Sequence, residues 1–180
     1  MKEYEKLEYL GETYTYRSGE WVDSKTFVAC ESIQNKLNKL YAENIDITML
    51  SMKDIIIQAD KFKASSSYDL AIRFYEYASK EADKNTLAHI MPKLTSCYRK
   101  NNRPDKAIWL LTFANHKYGP SIVTPALLTS AAAAYCDLRD YKRAIRCCER
   151  AKTNLNGHIT EELRMVYKRI QSEMKNNTIC

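Results

Sequence analysis

An alanine motif that recurs three times at a nearly fixed interval is the feature that most restricts the folds open to this 180-residue chain. In each copy an Ala is followed by Ile, by an apolar residue four positions after the Ala, and by a second Ala three positions later. The leading residues Ala71, Ala107 and Ala144 are 36 and 37 residues apart. A period of this length indicates an array of supersecondary units that bury their apolar faces against one another. The copies are Ala71-Ile72, Tyr75 and Ala78; Ala107-Ile108, Leu111 and Ala114; and Ala144-Ile145, Cys148 and Ala151.

A second apolar stripe precedes each copy of the motif, so each period contains two helices. The stripe residues recur at i, i+3, i+4 and i+7, which is the spacing of one helical face. The chain has only 4 Gly and 4 Pro, too few for the many tight turns of a sheet-rich fold. The sequence therefore predicts an all-α fold of antiparallel helix pairs. The stripes are Ile55, Ala59 and Phe62; Met91, Leu94, Thr95 and Tyr98; and Leu128, Ala131, Ala132 and Tyr135.

Capping residues predict where several of these helices begin. Ser, Thr and Asn side chains accept hydrogen bonds from the free N–H groups of a first turn, and a carboxylate nearby favours the positive end of the helix. This pattern predicts helix starts at Ser51, Ser66, Asn102, Thr124 and Thr160.

The paired helices resemble the tetratricopeptide repeat (TPR), a helix-turn-helix unit of about 34 residues. The resemblance is good from Ile47 to Leu155 and weaker before it. It implies a right-handed superhelical array of antiparallel helix pairs, a TPR-like α-solenoid, whose concave groove is lined by the first helix of each pair. The matching positions are Leu94, Thr95, Tyr98, Ala107, Leu111 and Ala114; Ala131, Ala132, Tyr135, Tyr141, Ala144 and Ala151; and, in the first unit, Leu7, Leu10, Gly11 and Tyr14.

The domain organisation follows from this phase. Residues 1–46 are predicted to form a divergent N-terminal repeat or cap. Three TPR-like repeats are predicted at about 47–83, 84–119 and 120–155, and a capping helix with a short tail at 156–180. The capping helix is indicated by one apolar stripe opposite a charged face. Its stripe residues are Leu163, Val166, Tyr167 and Ile170.

The first unit allows two interpretations. Its expected helix-B alanine falls on Asp23, and the distance from there to Ala71 requires a long second helix, from about Ser24 to Glu43, or an extended connection. Polar and apolar residues alternate from Tyr14 to Val22, which would suit a β-hairpin. We favour the helical interpretation.

No pattern of catalytic or metal-ligating residues stands out. The chain has no Gly-rich phosphate loop, no H-E-x-x-H and no G-x-S-x-G. The neighbouring Cys147 and Cys148 diverge on a helix, and Cys148 takes an apolar position of the repeat. We therefore predict a non-enzymatic protein with no cofactor and no metal. No apolar run approaches the roughly 18 residues of a membrane span, and the first residues lead into no apolar segment, so we expect a cytoplasmic protein with free thiols and no membrane partner.

The groove implied by the resemblance carries the predicted binding site. Lys93, Ser96 and Arg99 are spaced i, i+3 and i+6 on the first helix of the central repeat, and we expect them to face solvent and receive an acidic peptide. A solvated helix face without a ligand is the alternative. Pro92 predicts a kink or a late start of this helix. The predicted site comprises Asp60, Lys63, Lys93, Ser96, Arg99, Lys100, Thr129 and Ala133.

The resemblance implies an adaptor or scaffold that binds a peptide or helix of another protein in this groove. Members that clamp the C-terminal carboxylate of heat-shock chaperones have Asn where this chain has Asp60, Ser96 and Ala133, so that ligand is not expected. The alternative is a nucleic-acid-associated helical-repeat protein that uses its basic C-terminal portion. We disfavour it because the repeats lack a recurrent polar pair for reading bases.

Charge is distributed unevenly along the chain, which leaves self-association open. Residues 1–60 carry 7 Lys/Arg and 11 Asp/Glu, whereas the remaining residues carry 21 and 11. Opposite charge at the two ends would favour head-to-tail association.

Overall fold

A computed structural model of the chain describes residues 4–29 and 31–177. This part of the chain contains three short strands followed by eight α-helices. The strands are β1 (Lys6–Tyr9), β2 (Glu12–Arg17) and β3 (Glu20–Asp23). The helices are α1 (Gln34–Asn44), α2 (Met52–Ala64), α3 (Tyr68–Glu81), α4 (Lys84–Lys100), α5 (Pro104–Tyr118), α6 (Pro125–Asp137), α7 (Tyr141–Asn154) and α8 (Glu161–Asn177).

Helices α2 to α7 form three antiparallel pairs, α2 with α3, α4 with α5 and α6 with α7, and α4 and α6 also pack on the pair before them. The leading alanines Ala71, Ala107 and Ala144 are completely buried, as are Ala59 and Ala132 on the first helices. Small residues at these positions let the helix backbones approach closely. The predicted helical repeat array is therefore confirmed. Its division at residues 47, 84, 120 and 156 stays a prediction, and the three pairs lie inside those limits.

The corner within each helix pair has the same backbone geometry. Ser66, Asn102 and Arg139 adopt positive φ values of 60°, 55° and 58°. The N–H group of the next residue then donates to the carbonyl five residues before it, as in Ser67 to Phe62 at 2.9 Å. This is the Schellman geometry that ends a helix. The predicted helix starts at Ser66 and Asn102 are therefore wrong, because both residues belong to the end of the preceding helix.

The other predicted helix starts are correct. Ser51 accepts a hydrogen bond from the Asp54 N–H at 3.2 Å, and Thr124 accepts one from the Leu127 N–H at 3.2 Å. Thr160 accepts one from the Leu163 N–H at 3.3 Å. Helix α4 begins at Lys84 and continues through Pro92, so the predicted late start does not occur.

The N-terminal unit is a three-stranded antiparallel sheet in the order β1-β2-β3, so the helical interpretation of this unit is wrong. Its two turns are Leu10-Gly11, with φ 52° and 82°, and Ser18-Gly19, with φ 50° and 94°. Two successive residues at positive φ form the type I′ turn that matches strand twist. The predicted helix from Ser24 to Glu43 is also wrong. Among the described residues of that span, the helical elements are a 3-10 turn at Glu31–Ile33 and most of α1.

The sheet has its own small core against α1. Trp21 is completely buried and lies between the rings of Tyr16, at a centroid distance of 5.3 Å, and Tyr41, at 5.9 Å. Its indole N–H donates to Asn38 Oδ1 at 2.9 Å. The Gln34 side chain accepts from the Trp21 N–H at 2.8 Å and donates to the Trp21 carbonyl at 2.5 Å. Side-chain contacts from one helix thus fix both the ring and the backbone of β3.

Helix α8 packs on α6 and α7 at the other end of the array. Leu163 and Ile170 are buried, and Arg164 and Lys168 on the opposite side are exposed. No helix among the described residues is both long and apolar enough to cross a membrane.

Candidate partner-binding groove

A groove of about 560 Å³ lies between α2, α4 and α6 and ends at the connection from α7 to α8. Four residues of the predicted site line it: Lys63 on α2, Lys93 and Ser96 on α4, and Thr129 on α6. The structure therefore brings side chains from three first helices to one cavity. The remaining four residues of the predicted site, Asp60, Arg99, Lys100 and Ala133, are not among those lining it.

Lys93 is paired within the protein, contrary to the expectation that it faces solvent unpaired. Its Nζ donates to both carboxylate oxygens of Asp60 at 2.8 Å, and the Tyr75 hydroxyl donates to the same carboxylate. Burial alone would raise the pKa of Asp60, but the hydrogen bonds from Lys93 and Tyr75 and the charge of Lys93 outweigh it and hold that pKa below its usual value. Asp60 therefore neutralises the charge of Lys93, and this ion pair joins α2 to α4.

Replacing Asp60 by Asn is expected to destabilise the protein at neutral pH and to flatten the acid limb of its stability profile. Because the pKa of Asp60 is lower in the folded than in the unfolded state, the unfolded state binds more protons in acid. This contribution to stability is complete above the unfolded pKa, about 3.9 for Asp, and is lost as pH falls through the lower folded pKa. Urea unfolding from about pH 7 to about pH 3 measures it. The difference between wild type and Asp60→Asn should shrink as pH falls, and a difference independent of pH would contradict the assignment.

Arg99 lies outside the groove, in a cluster of charges formed by the ends of α4 and α6 and the middle of α8. Its Nη1 lies 3.4 Å from Asp137 Oδ2 on α6, and Arg169 Nη1 on α8 lies 2.7 Å from the other oxygen of Asp137. Arg169 also donates through Nε to Glu173 at 2.7 Å. The neighbouring Lys100 is exposed and lines the same shallow depression. The side chain of Arg99 is thus largely covered and paired with Asp137, so the expectation that it points to solvent is wrong.

Thr129 and Ala133 help to pack α6 rather than project from it. Both are largely buried, and the Thr129 hydroxyl donates to the Pro125 carbonyl at 2.9 Å. Ser130 donates to the Pro92 carbonyl on α4 at 3.3 Å, which brings α4 and α6 together at the floor of the groove. Because the side chains at the floor of the groove are small, they do not fill its cavity.

Sequence reasoning missed one wall of the groove. It is formed by the first residue of α6, the connection from α7 to α8 and the first turn of α8, and it includes Pro125, Leu155, Thr160 and Glu162. Thr124-Pro125 and Thr160 were recognisable only as helix starts. No signal in the repeat pattern indicated that two helix starts would face each other across the cavity, because the connection from α7 to α8 lies outside the repeated unit.

The cysteines contribute to packing. Cys97, Cys136 and Cys148 are buried and Cys147 is half-buried, and all four are free thiols. Burial raises the pKa of Cys147 to about 11 and that of Cys148 to about 12, so both are protonated at neutral pH. Among residues 4–29 and 31–177 no three His, Cys, Asp or Glu side chains are grouped so that they could hold a metal ion.

The fold is TPR-like. Its helix pairs repeat in register with the same corner geometry, alanines are buried at the helix crossings, and a groove lies between the first helices. Among solved structures, the chain is similar to the TPR domain of Sgt2 from Aspergillus fumigatus, with a TM-score of 0.60 and 16% identity over 72% of this chain and 82% of that one. At this identity the likeness concerns the fold. No family model matches the sequence, and no curated protein matches it either.

Proposed function

We propose that this protein is a non-enzymatic adaptor or scaffold that binds a peptide or helix of a partner protein in the groove between α2, α4 and α6. The observation that carries the proposal is the groove itself, an open cavity of about 560 Å³ bounded by several helices of a TPR-like fold. Its walls combine apolar residues such as Pro92, Pro125 and Leu155 with the hydroxyls of Ser96 and Thr160. Such a lining buries an apolar side chain and still offers hydrogen bonds to a peptide backbone.

The charge pattern favours a partner segment with an apolar anchor and an acidic side chain. Lys93 is neutralised by Asp60. Lys63 acts on Asp60 only through its charge, and no carboxylate of the described residues lies within ion-pairing distance of it. Lys63 lines the groove, and Lys100 lies exposed beyond it. We therefore assign recognition of an acidic residue to Lys63, with Lys100 as a second contact. The groove residues Ala126 and Ser96 leave space for the apolar anchor.

The nucleic-acid alternative has weaker support. Three of the basic residues that would serve it pair with carboxylates: Arg143 with Asp140 at 3.0 Å, Arg164 with Glu161 at 2.6 Å, and Arg169 with Asp137. Paired side chains of this kind are less available to neutralise phosphates.

Two substitutions in the groove are expected to weaken partner binding at least about ten-fold each, as loss of one charge-assisted contact or of one anchor pocket does. They are Lys63→Glu, which opposes an acidic partner, and Ala126→Trp, which fills the cavity from an exposed position on α6. The matched control is Lys61→Glu, the same charge change at an exposed position of the same helix.

The experiment is affinity capture from the source lysate, with mass spectrometry of retained proteins and a parallel measurement of nuclease-sensitive material. Proteins captured by wild type and by Lys61→Glu, but lost with Lys63→Glu and Ala126→Trp, support the proposal. Affinities of one captured protein are then compared by titration. Retention that is abolished by nuclease would favour the nucleic-acid alternative, and full affinity in both folded groove variants would place the site elsewhere.

We further propose a cytoplasmic location. The four free thiols support it, because secreted proteins of this size generally oxidise their cysteines to disulfides. The opposite charges of the N-terminal and C-terminal portions also support a tendency to associate head to tail.

A further inference from the structure

The two outer edges of the N-terminal sheet differ in how their backbone groups are satisfied. Outward-facing groups of β3 belong to Trp21 and Asp23, which alternate with the residues paired to β2. The Gln34 side chain takes both groups of Trp21, the Asp23 N–H donates to Val28 at 3.0 Å, and the Asp23 carbonyl accepts from Phe27 at 2.8 Å. The β3 edge is therefore closed within the chain.

The β1 edge is open among the described residues. With a two-residue turn at Leu10-Gly11, the pairs Tyr9 with Glu12 and Leu7 with Tyr14 exchange the ladder hydrogen bonds. The N–H and C=O groups of Lys6 and Glu8 then point away from β2, and no described residue bonds to them. Beyond them, Tyr4 and Glu5 both bond to Tyr16 and form a bulge that ends the strand. Within the described part of the chain, Lys6 and Glu8 thus present four backbone groups without a partner, which can act as a template for another strand.

The charged side chains of β1 are complementary to those of a second, antiparallel copy of β1. When a second copy of β1 pairs antiparallel with Leu7 on the two-fold axis, Lys6 of each copy lies opposite Glu8 of the other. These are the residues whose backbone groups face outward, so they form the hydrogen-bonded pairs of the new ladder. A shift of two residues in either direction would place Lys6 opposite Lys6 or Glu8 opposite Glu8. Charge therefore selects one register, and in that register both Lys6 and Glu8 of each copy exchange hydrogen bonds with the other copy.

Exposed apolar residues lie at both ends of the same segment. Tyr4 precedes β1 and is 67% exposed, and Leu10 follows it and is 86% exposed. Antiparallel pairing brings the bulge at Tyr4 of one copy close to the turn at Leu10 of the other. Leu7 of each copy meets its equivalent on the face that packs against α1.

We propose that the chain forms a symmetric dimer by pairing β1 with β1 of a second copy, which joins the two N-terminal sheets into one of six antiparallel strands. The contact is short, with four backbone hydrogen bonds and two Lys6–Glu8 pairs. Such a small interface makes a weak dimer that depends on protein concentration. The dimer differs from head-to-tail association of charged ends, because it is isologous and uses only the N-terminal unit.

Sedimentation velocity from low micromolar to near millimolar concentration tests the dimer by charge exchange. Lys6→Glu and Glu8→Lys are each expected to weaken dimerisation at least about ten-fold, because each places like charges opposite one another at both symmetric positions. The double variant Lys6→Glu/Glu8→Lys restores opposite charges and should dimerise like wild type. Glu20→Lys, on an exposed residue of β3, is the matched control and should not change the dimer.

A second variant tests the backbone contact. Glu8→Pro removes one outward N–H group without removing a ladder bond to β2, and proline is tolerated on an edge strand. It should abolish the dimer while near-UV circular dichroism shows the Trp21 core intact. A wild type that stays monomeric over the whole range would overturn the proposal. So would a double charge variant as weak as the single ones, or a loss of dimer in Glu20→Lys equal to that in Glu8→Lys.

Discussion

Ala107→Glu and Ala144→Glu are each expected to unfold the helical array at ordinary temperature. Both alanines are completely buried where a second helix crosses its neighbours. A glutamate there would overpack the crossing and leave a carboxylate without a partner, at a cost of several kcal/mol. That cost is comparable with the roughly 5–15 kcal/mol by which a domain is stable. Thermal unfolding followed by far-UV circular dichroism measures the loss.

Two control variants separate burial from charge. Ala126→Glu makes the same substitution at an exposed position in the first turn of α6, where a carboxylate is favoured by the helix dipole. Lys152→Glu reverses a charge on α7 away from the crossing. Both should melt close to wild type. Equal melting temperatures for Ala107→Glu and wild type would show that the repeat phase is misassigned.

Trp21→Ala is expected to cost about 3–5 kcal/mol of stability in the N-terminal unit, the range for removing a large buried aromatic side chain. The indole is completely buried, contacts Tyr16 and Tyr41, and donates to Asn38. Its removal leaves a cavity in a core of few residues and an unpaired amide oxygen on Asn38. Loss of the β-sheet should appear as fast amide hydrogen exchange in β2 and β3, while the far-UV helical signal of α2 to α8 persists.

The second tryptophan provides the matched control. Trp109 is 59% exposed on α5 and stacks on Phe113 at a centroid distance of 4.9 Å. Trp109→Ala should cost only about 1 kcal/mol, since stacking contributes about that much beyond burial. An equal loss of stability in the two variants would mean that the sheet does not depend on its aromatic core.

Periodicity predicts the helical array correctly because its cause is local and repeated. A small residue must stand at each helix crossing, and it returns once per repeat, as Ala71, Ala107 and Ala144 do. The corners are harder to predict, since Ser66 and Asn102 suit either a helix start or a left-handed helix end. Only the hydrogen bonds across the corner distinguish the two.

The N-terminal unit shows how a degenerate pattern misleads. Leu7, Leu10, Gly11 and Tyr14 match the TPR spacing, yet they belong to a hairpin whose turn is Leu10-Gly11. The alternation from Tyr14 to Val22 carried the correct signal. A terminal unit of an array need not resemble its interior.

The electrostatics of the candidate site could not be predicted from residue spacing. Lys93 and Arg99 have the expected spacing on α4, but their partners Asp60 and Asp137 lie 33 and 38 residues away in sequence. An i, i+3 pattern describes one helix face and contains no information about the helix opposite. Lys63, Lys93, Ser96 and Thr129 nevertheless line one groove, and their role in binding stays a prediction.

The carboxylates between first helices have a consequence for the mechanics of the array. Asp60 joins α2 to α4, and Asp137 joins α4 to α6 and α6 to α8. Ion pairs thus join α2, α4, α6 and α8 in succession, at Asp60 beside the groove and at Asp137 outside it. These ion pairs restrict the width of the groove in the free protein, so binding a partner costs little further conformational entropy. Added salt screens ion pairs more than it affects packed alanines, so we expect the width of the groove to depend on ionic strength more than the core does.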